Sequence, residues 1–304
     1  MGAANRDWSF SLERLPEAGE TVTGHHYVAD GGKGANQAVQ LALLGVSTTF
    51  VGRVGDDASG TMVVHGLRAA DVDTRFVGRT RGTETGTGCI WVTGGDDKRI
   101  VVSPGANASL TAADVDAAAS AIEESALVLV QLEVPFGAVR RAVDLASASR
   151  SAVVLNAAPA SADVVELLPR TSVLIVNRSE CAALVARAVD TSAAVDEAAH
   201  DLCSLGAGTT IVTLGSEGAR VVNREASWAI LPVPSEAVDS TGAGDAFCGA
   251  VSAALVRGLG PVDAARVGVL AGSLCAARRG ARASREDAPR ILEALAARDG
   301  DRER

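Results

Sequence analysis

Short apolar segments alternate with longer helical ones along most of the chain, and this alternation constrains the fold more than any other feature. The segments 126–132 and 172–177 are rich in Val, Leu and Ile, and each is followed by a segment with helical periodicity, at 136–148 and 179–188. Strands that are apolar on both faces and separated by helices are typical of a parallel sheet with helices on each side. The pattern therefore predicts an α/β fold in which a single domain spans residues 1–304.

Two further segments, at about 8–30 and 82–103, do not follow this alternation. They contain the strand-like stretches ETVTGHHYV, TGTGCIWVT and KRIVVSPG without intervening helices. Such stretches predict antiparallel strands outside the main sheet. We expect them to form a flap over the edge of that sheet.

The composition argues against several classes of function. The 304 residues are 47% hydrophobic and carry a formal net charge of −9, which argues against a nucleic acid or an anionic membrane as the main partner. The N-terminus shows no apolar signal-peptide core, and no segment reaches the ~18 apolar residues of a membrane span. The five cysteines are scattered and never in a CxxC spacing, which is typical of reduced thiols. We expect a cytoplasmic enzyme.

The segment VDSTGAGDAFC, residues 238–248, precedes an Ala-rich helix. Gly242, Ala243 and Gly244 are expected where the chain turns into that helix, so their N–H groups and the helix dipole can bind an anion. Asp245 falls in the first helical turn, where it can take a proton from a hydroxyl group that attacks a phosphoryl group. The alternative is that Asp245 only caps the helix. Asp239 and the small residues nearby favour the catalytic interpretation.

A second glycine-rich segment, GGKGANQAVQ at 31–40, opens an apolar helical run. It is not a Walker A loop, because Tyr27 stands where that motif needs its first glycine and Gly34 follows the lysine. It also lacks the GxGxxG spacing of a dinucleotide site. Lys33 and Asn36, near a helix N-terminus, offer donors suited to hydroxyl oxygens. A tight turn that merely starts a helix is the alternative.

These two motifs, together with GAN (105–107), QLE (131–133), NRSE (177–180) and TLGSEG (213–218), resemble the ribokinase family of sugar kinases. The motifs match in order and spacing over almost the whole chain. The resemblance implies a Rossmann-like αβα sandwich with a small β-sheet lid. It also implies transfer of the γ-phosphoryl group of MgATP to the 5-hydroxyl group of D-ribose, activation by a monovalent cation such as K⁺, and a homodimer paired through its lid strands.

Carried over position by position, the resemblance assigns Asp245 as the catalytic base and the segment 242–244 as the anion hole. The matching substrate-binding positions are Asn5, Asp7, Gly32, Lys33, Gly34, Asn36, Glu133 and Asp245. The positions that match the nucleotide and magnesium site are Asn177, Glu180, Thr213, Gly215, Ser216, Glu217, Gly218 and Gly244. The positions that match the monovalent cation site are Asp239, Thr241, Cys275, Arg278, Gly280 and Ser284.

The chemistry of these residue types agrees with the assignment. Ribose is neutral and rich in hydroxyl groups, so carboxylate, amide and ammonium groups can hydrogen-bond to it. Local roles stay open as alternatives: surface solvation or a cap for Asp7 and Glu133, and an ordinary first-turn helix acid for Glu180. At the cation positions, only Asp239 and Ser284 bring a recognisable side chain.

Three features depart from the family pattern. Only Met1 and Gly2 precede AANRD, where family members have most of a central strand, and its loss would expose neighbouring strand edges. The segment YVADGGKG is one residue shorter, which puts the register of the lid strands in question. Val269 stands where relatives often place Asn or His beside the adenine. Two rival functions therefore stay open: a kinase of another sugar or a nucleoside (deoxyribose, fructose, adenosine), and a catalytically impaired sugar-binding relative.

Overall fold

The computed structural model describes residues 1–93, 98–278, 280 and 282–299. The strands of these ranges are β1 (Asn5–Ser11), β2 (His25–Gly31), β3 (Thr49–Gly55), β4 (Asp73–Thr80), β5 (Thr87–Val92), β6 (Lys98–Ser103), β7 (Leu127–Gln131), β8 (Ala152–Asn156), β9 (Val173–Asn177), β10 (Thr209–Thr213), β11 (Ala219–Val222) and β12 (Ser227–Ile230).

The helices follow the strands much as the sequence pattern indicates. They are α1 (Lys33–Leu43), α2 (Ala58–Ala69), α3 (Ala112–Ala117), α4 (Ala119–Glu123), α5 (Phe136–Ala148), α6 (Arg178–Val185), α7 (Ser192–Ser204), α8 (Ala243–Val256), α9 (Pro261–Ala276) and α10 (Ala288–Asp299). Between β8 and β9 lies a 3₁₀ helix, Ala162–Arg170, that contains Pro169, which has no N–H to donate. Within the described ranges, each helix is too short or too polar to cross a membrane.

The main sheet has the strand order β12-β11-β10-β9-β8-β7. The strands from β7 to β10 are parallel, whereas β11 and β12 add an antiparallel edge that the sequence pattern did not predict. Leu174 and Ile175 are adjacent in β9, and both are almost fully buried. Leu174 belongs to the core formed with α5 and α7, and Ile175 to the core formed with α8 and α9. Helices therefore cover both faces, which confirms the αβα sandwich.

The beginning of the chain lies between β7 and the separate parallel pair β3–β4. The Met1 amino group donates to Leu129 O at 2.9 Å, and Gly2 N donates to Val51 O at 3.1 Å. A cavity of about 440 Å³ opens beside Met1, between residues 46–51 and 125–129. Ala4 is fully buried, so the chain enters β1 from inside the protein.

The lid is a sheet with the order β2-β1-β5-β6. Its strands lie within the predicted segments except that β1 begins earlier, at Asn5, and β2 ends one residue later, at Gly31. Residues 94–97 lie outside the described residues. The expectation of purely antiparallel pairing was wrong, because β1 runs parallel to β5. The doubt about the lid register is also resolved: β1 and β2 pair without interruption from Asn5 opposite Gly31 to Ser11 opposite His25.

Candidate active site

Asp245 lies in the first turn of α8, directly after the glycine-rich turn. Gly242 precedes the helix with φ of 78°, a left-handed conformation that favours glycine. The Asp245 carboxylate is buried, and both oxygens accept hydrogen bonds from α1, at 3.0 Å from Asn36 Nδ2 and 3.0 Å from Gln37 Nε2. Burial raises the pKa of Asp245, outweighing Lys33 and the two amides, which lower it. The site therefore contains a desolvated carboxylate beside several N–H groups.

Gln37 is a site residue that sequence reasoning missed. Its Nε2 also donates to Asn156 Oδ1 at 3.0 Å, and its Oε1 accepts from Gln131 Nε2. Gln37 is fully buried, so these amides orient one another in a low-dielectric environment. The signal that could have revealed it is a glutamine among the alanines and valine of an otherwise apolar helical run.

The expected substrate-binding residues converge at the end of β7 and the start of α1. Glu133 Oε2 accepts a hydrogen bond from Lys33 N at 2.8 Å. Asn5, Lys33 and Glu133 line a cavity of about 540 Å³ whose other lining residues, apart from Asn107, are apolar. Asn107, of the GAN motif, also lines it and donates to Asn5 Oδ1 at 2.8 Å. Asn107 therefore positions Asn5, a role the sequence motif did not specify.

Asp7 lies in the middle of the lid strand β1, where its Oδ1 accepts a hydrogen bond from Gly88 N at 2.6 Å. Burial raises the pKa of Asp7 to about 6, although the Gly88 N–H and Arg282 lower it. A Cβ atom on Gly31 would lie 1.8 Å from Asp7 Oδ2, so this glycine makes room for the carboxylate. Asp7 is therefore a half-buried carboxylate at the inner end of the lid.

Gly32 and Gly34 allow close packing against the start of the chain. A Cβ atom on Gly32 would lie 2.7 Å from Ala3 O, and one on Gly34 would lie 2.7 Å from the Gly2 backbone. These contacts place the N-terminus of α1 against residues 2–4. Contact between these two glycines and a sugar stays a prediction.

Lys33 is the cation at the centre of the acidic site. Burial alone would lower the pKa of Lys33, but the carboxylates of Asp245, Glu133 and Glu180 raise that pKa overall. The same burial raises the pKa of Glu133, against the influence of Lys33. The ammonium group therefore offsets the mutual repulsion of three carboxylates drawn from three separate elements.

Asn177 and Glu180 form a capping box at the start of α6. Asn177 Oδ1 accepts from Glu180 N at 2.8 Å, and Glu180 Oε2 accepts from Asn177 N at 2.8 Å. Glu180 is thus an acid in the first turn of a helix, as one of the two interpretations of the sequence holds. Burial also raises the pKa of Glu180, and its charge acts on Lys33 and Asp245. Glu180 is therefore both a helix cap and part of the electrostatics of the site.

The segment 213–218 lies beside this capping box. Thr213 is paired with Asn177 across the parallel strands β10 and β9, at the carboxyl ends where ligands bind in open α/β sheets. Gly215 and Gly218 adopt φ of 61° and 88° around a short 3₁₀ turn that includes Ser216. Glu217 pairs with Arg178 at 2.7 Å. Seven of the eight predicted nucleotide residues are thus brought together at one sheet edge, whereas Gly244 lies in the first turn of α8.

Four of the six predicted cation residues lie together. Asp239 accepts hydrogen bonds from Thr241 N and Oγ1 at 3.0 and 2.6 Å and from Gly280 N at 3.1 Å, and Cys275 Sγ contacts Thr241 O at 3.8 Å. The Arg278 side chain instead bonds to Asp287, and Ser284 Oγ accepts from Glu286 N within its own turn. In the part of the chain that the structure describes, there is no cluster of three or more His, Cys, Asp or Glu able to hold a metal ion.

Comparison with known proteins gives the family. The model of the pfkB family of carbohydrate kinases matches residues 1–288. The chain belongs to the pfkB family. A ribokinase from Staphylococcus aureus (strain COL) is 33% identical over 287 residues, covering 93% of this chain and 94% of the relative. A Mus musculus ribokinase is 35% identical over 260 residues, covering 83% and 79% of the two chains.

Solved structures of pfkB-family kinases agree with this assignment. The structure of Arabidopsis thaliana ribokinase complexed with ribose and ATP superposes with a TM-score of 0.86 at 28% identity, covering 96% of this chain and 97% of that one. The present chain is therefore an ATP-dependent carbohydrate kinase of the ribokinase type, with a ribokinase-like α/β fold.

Proposed function

We propose that this carbohydrate kinase transfers the γ-phosphoryl group of ATP to the 5-hydroxyl group of D-ribose, giving D-ribose 5-phosphate. The observation that carries the proposal is the placement of Asp245. It is a buried carboxylate at the N-terminus of α8, and it acts electrostatically on Lys33, which lines the cavity. The cavity volume of about 540 Å³ is within the range of small-molecule sites.

The acceptor binds through the polar wall of the cavity. Asn5, Lys33 and Glu133 of this wall present amide, ammonium and carboxylate groups to the sugar hydroxyls, and the backbone at 32–34 lies at the same end of α1. Asp7 adds a further carboxylate from lid strand β1. Charge-assisted hydrogen bonds of this kind orient a polyhydroxylated ligand. Closure of the lid over the sugar excludes water, so the activated oxygen attacks phosphorus and no solvent molecule competes.

Asp245 acts as the general base. One carboxylate oxygen of Asp245 accepts the proton of the sugar 5-hydroxyl group. The sugar oxygen attacks the γ-phosphorus as the bond between that phosphorus and the ADP oxygen breaks. A carboxylate has about four lone-pair sites, so Asp245 can accept this proton while retaining its bonds to Asn36 and Gln37. The N–H groups of 242–244 and the dipole of α8 stabilise the charge on the transferred group.

The residues at the ends of β9 and β10 fit MgATP. Glu180 offers carboxylate oxygens, the hard ligands that Mg²⁺ prefers, and its charge acts on Lys33 and Asp245. Thr213 to Gly218 form the adjoining turn for the nucleotide. Bound Mg²⁺ would neutralise phosphate charge. Asn177 holds the Glu180 backbone and Glu180 holds the Asn177 backbone, so the carboxylate keeps a fixed orientation.

The segment around Asp239 fits a monovalent cation, K⁺, bound mostly by carbonyl oxygens. Asp239 ties Thr241, next to the anion hole, to Gly280. Cation binding at 239, 241, 275, 278, 280 and 284 would stiffen this segment and with it the turn into α8. Arg278 and Ser284 would contribute only backbone oxygens, because their side chains bond elsewhere.

The purified protein should be assayed for ATP-dependent phosphorylation of ribose, deoxyribose, fructose and adenosine, with the phosphorylated carbon identified by ³¹P NMR. We expect ribose to give the highest kcat/KM, with the phosphate on carbon 5. Adenosine belongs in the screen because Val102, Leu132 and Val134 give the cavity an apolar wall that a nucleoside base could occupy. Phosphorylation of another acceptor without ribose would overturn the substrate assignment.

We also propose a homodimer formed through the lid. The edge strand β6 exposes Ile100 and Val102, at 56% and 53%, and Tyr27 on β2 is 40% exposed. An exposed apolar edge strand is a template for pairing with a second chain. Ile100→Glu should shift the mass measured by light scattering from dimer to monomer. The five cysteines, all free, suit a reducing compartment such as the cytosol.

A further inference from the structure

Arg282 lies in the segment between α9 and α10 and reaches back to both the lid and α1. Its Nε donates to Asn36 Oδ1 at 3.3 Å, and its Nη1 donates to Asp30 Oδ2 at 2.8 Å. Asp30 belongs to lid strand β2, where Arg6 of β1 binds its other oxygen at 2.6 Å. Arg282 therefore joins a lid carboxylate to the amide that contacts Asp245.

The direction of these hydrogen bonds determines the orientation of the Asn36 amide. An asparagine side chain has a donor and an acceptor end of nearly equal shape, whereas a guanidinium group only donates. Arg282 therefore requires Oδ1 of Asn36 to face it. The Nδ2 group then faces Asp245 Oδ2, where it donates at 3.0 Å. The opposite orientation would place two acceptors together at Asp245 and two donors together at Arg282.

Stability alone does not explain a buried arginine at this place. The attraction within a buried ion pair does little more than offset the free-energy cost of removing both charges from water. Arg282 Nη2 is buried and, within the described part of the chain, has no hydrogen-bond partner, which adds to that cost. Burial lowers the pKa of Arg282, although Asp30 raises it.

We propose that Arg282 is a positioning residue: by fixing the Asn36 amide, it directs an N–H group to the catalytic base and links the base to lid strand β2. This inference rests on the proposed function of Asp245 and extends it to Arg282, which donates hydrogen bonds to Asn36 and Asp30. Asp30 is the anchor that holds Arg282 in place.

Other charged and titratable groups also act on Asp245 and must be separated from Arg282 in any pH profile. They are Lys33 on α1, Glu133 after β7, Glu180 on α6, Asp7 on β1, Cys248 on α8 and Cys275 on α9. The test therefore has to distinguish an effect through the Asn36 amide from a general change in electric field.

Arg282→Met should lower kcat/KM about tenfold to a hundredfold, the usual effect of losing one hydrogen bond to a charged group. The acid limb of the kcat/KM profile should move to higher pH, because an undirected Asn36 no longer stabilises the Asp245 carboxylate. Arg282→Lys, which keeps a donor and the charge, should restore most of the activity and the pH limb. Arg285→Met is the matched control, since Arg285 lies in the same segment but is exposed and bonds to Ala69 O.

A double-mutant cycle identifies the route of the effect. In an Asn36→Ala background, Arg282→Met should change kcat/KM by less than about twofold, because the interacting partner is gone. A full additive loss in that background would show that Arg282 acts through its field or through general folding, and it would overturn the proposal. An unchanged pH limb in Arg282→Met alone would overturn it as well.

A readout independent of turnover separates this inference from the proposed function. The chain has six asparagines, so ¹⁵N-asparagine labelling gives a tractable set of side-chain amide signals. The Asn36 Nδ2 protons should be slow to exchange in the wild type and in Arg285→Met, and should exchange faster in Arg282→Met. If the wild type phosphorylates no sugar, the proposed function fails, and unchanged Asn36 exchange in Arg282→Met would independently overturn the positioning role.

Discussion

Nδ2 of Asn36 lies 3.0 Å from Oδ2 of Asp245, although 209 residues separate them in the sequence. Asn36 occupies the first turn of α1 and Asp245 the first turn of α8, and the two helices pack against each other. The two glycine-rich motifs thus form one site, in which the N-terminal motif supplies the hydrogen-bond donors and the C-terminal motif supplies the proposed base and the proposed anion-binding turn.

Replacing the base tests the reaction. Asp245→Asn should lower kcat by a factor of about 10²–10⁴ while changing the ribose Kd only slightly, because the amide cannot take up the hydroxyl proton. A coupled ADP-release assay and calorimetric titration measure the two quantities. Asp263→Asn is a suitable control, since Asp263 also lies in the first turn of a helix. Undiminished turnover in Asp245→Asn would rule out the proposed base and leave only a capping role.

Gln37 should matter for both stability and the pH profile. Gln37→Leu removes the partner of Asp245 Oδ1 and of Asn156 Oδ1, so the free energy of unfolding should fall by about 1–3 kcal/mol. The Asp245 carboxylate also loses a stabilising donor, and the acid limb of kcat/KM should move upward. Urea denaturation measures the free energy of unfolding, and the pH–rate profile measures the position of the acid limb. In Gln40→Leu, on the next turn of α1 and packed against Gly249, the pH profile should stay in place.

The capping box of α6 offers a test of the nucleotide site. Asn177→Ala should reduce stability by about 1 kcal/mol through loss of the N-cap. It should also raise the Mg²⁺ and ATP concentrations needed for half-maximal rate, because Glu180 loses its fixed orientation. Thr191→Ala removes the N-cap of α7 and should cost similar stability with unchanged Mg²⁺ dependence. Equal Mg²⁺ dependence in both variants would limit Asn177 and Glu180 to helix capping.

Asp239 should control activation by K⁺. Asp239→Ala removes the bonds that join Thr241 to Gly280, and the rate should lose its dependence on added K⁺. Rates are to be compared in K⁺ and in a tetramethylammonium salt at equal ionic strength. Asp57→Ala is the matched variant, because Asp57 likewise accepts three hydrogen bonds, from Gly60 and Thr85. Persistent K⁺ activation in Asp239→Ala would place the cation elsewhere.

Asp7 should lower stability above neutral pH. Its pKa in the folded protein is about 6, against 3.8 for an unperturbed aspartate, so the folded state binds more protons between these two pH values and stability falls as pH rises through them. Asp7→Asn keeps the acceptor for Gly88 N and should raise the free energy of unfolding by about 1–3 kcal/mol at pH 8, with little effect below pH 4. Ribose affinity should fall in the same variant.

Denaturation curves of the wild type and of Asp7→Asn, recorded at pH 8 and below pH 4, test the predicted effect on stability. Asp116→Asn, whose exposed carboxylate faces Arg141, should change stability little at either pH. A variant Asp7→Asn that is less stable than the wild type at pH 8 would show that the Asp7 carboxylate is stabilised by its surroundings.

The sequence predicted the layer architecture well. The boundaries of α5 and of strands β7 and β9 follow from runs of Val, Leu and Ile and from helical periodicity, which are local properties. The pattern did not indicate β4, β11 and β12, nor the short helices α3 and α4. β12 is the edge strand and β11 lies next to it, and the pairing of these two short strands depends on the neighbouring sheet more than on their own residues. The parallel pairing of β1 with β5 also joins segments far apart in the chain, and no local signal specifies it.

The sequence by itself determined the turn at Gly242, the position of Asp245 in a first helical turn and the apolar strands of the sheet. Each of these depends on consecutive residues whose conformational preferences are set by local sterics and helix periodicity. Only the tertiary structure decided that Asn36 and Gln37 contact Asp245 and that Arg282 contacts Asn36. Their contacts depend on how α1, α8 and the segment after α9 pack together, and such long-range packing places polar groups where no short stretch of sequence can specify them.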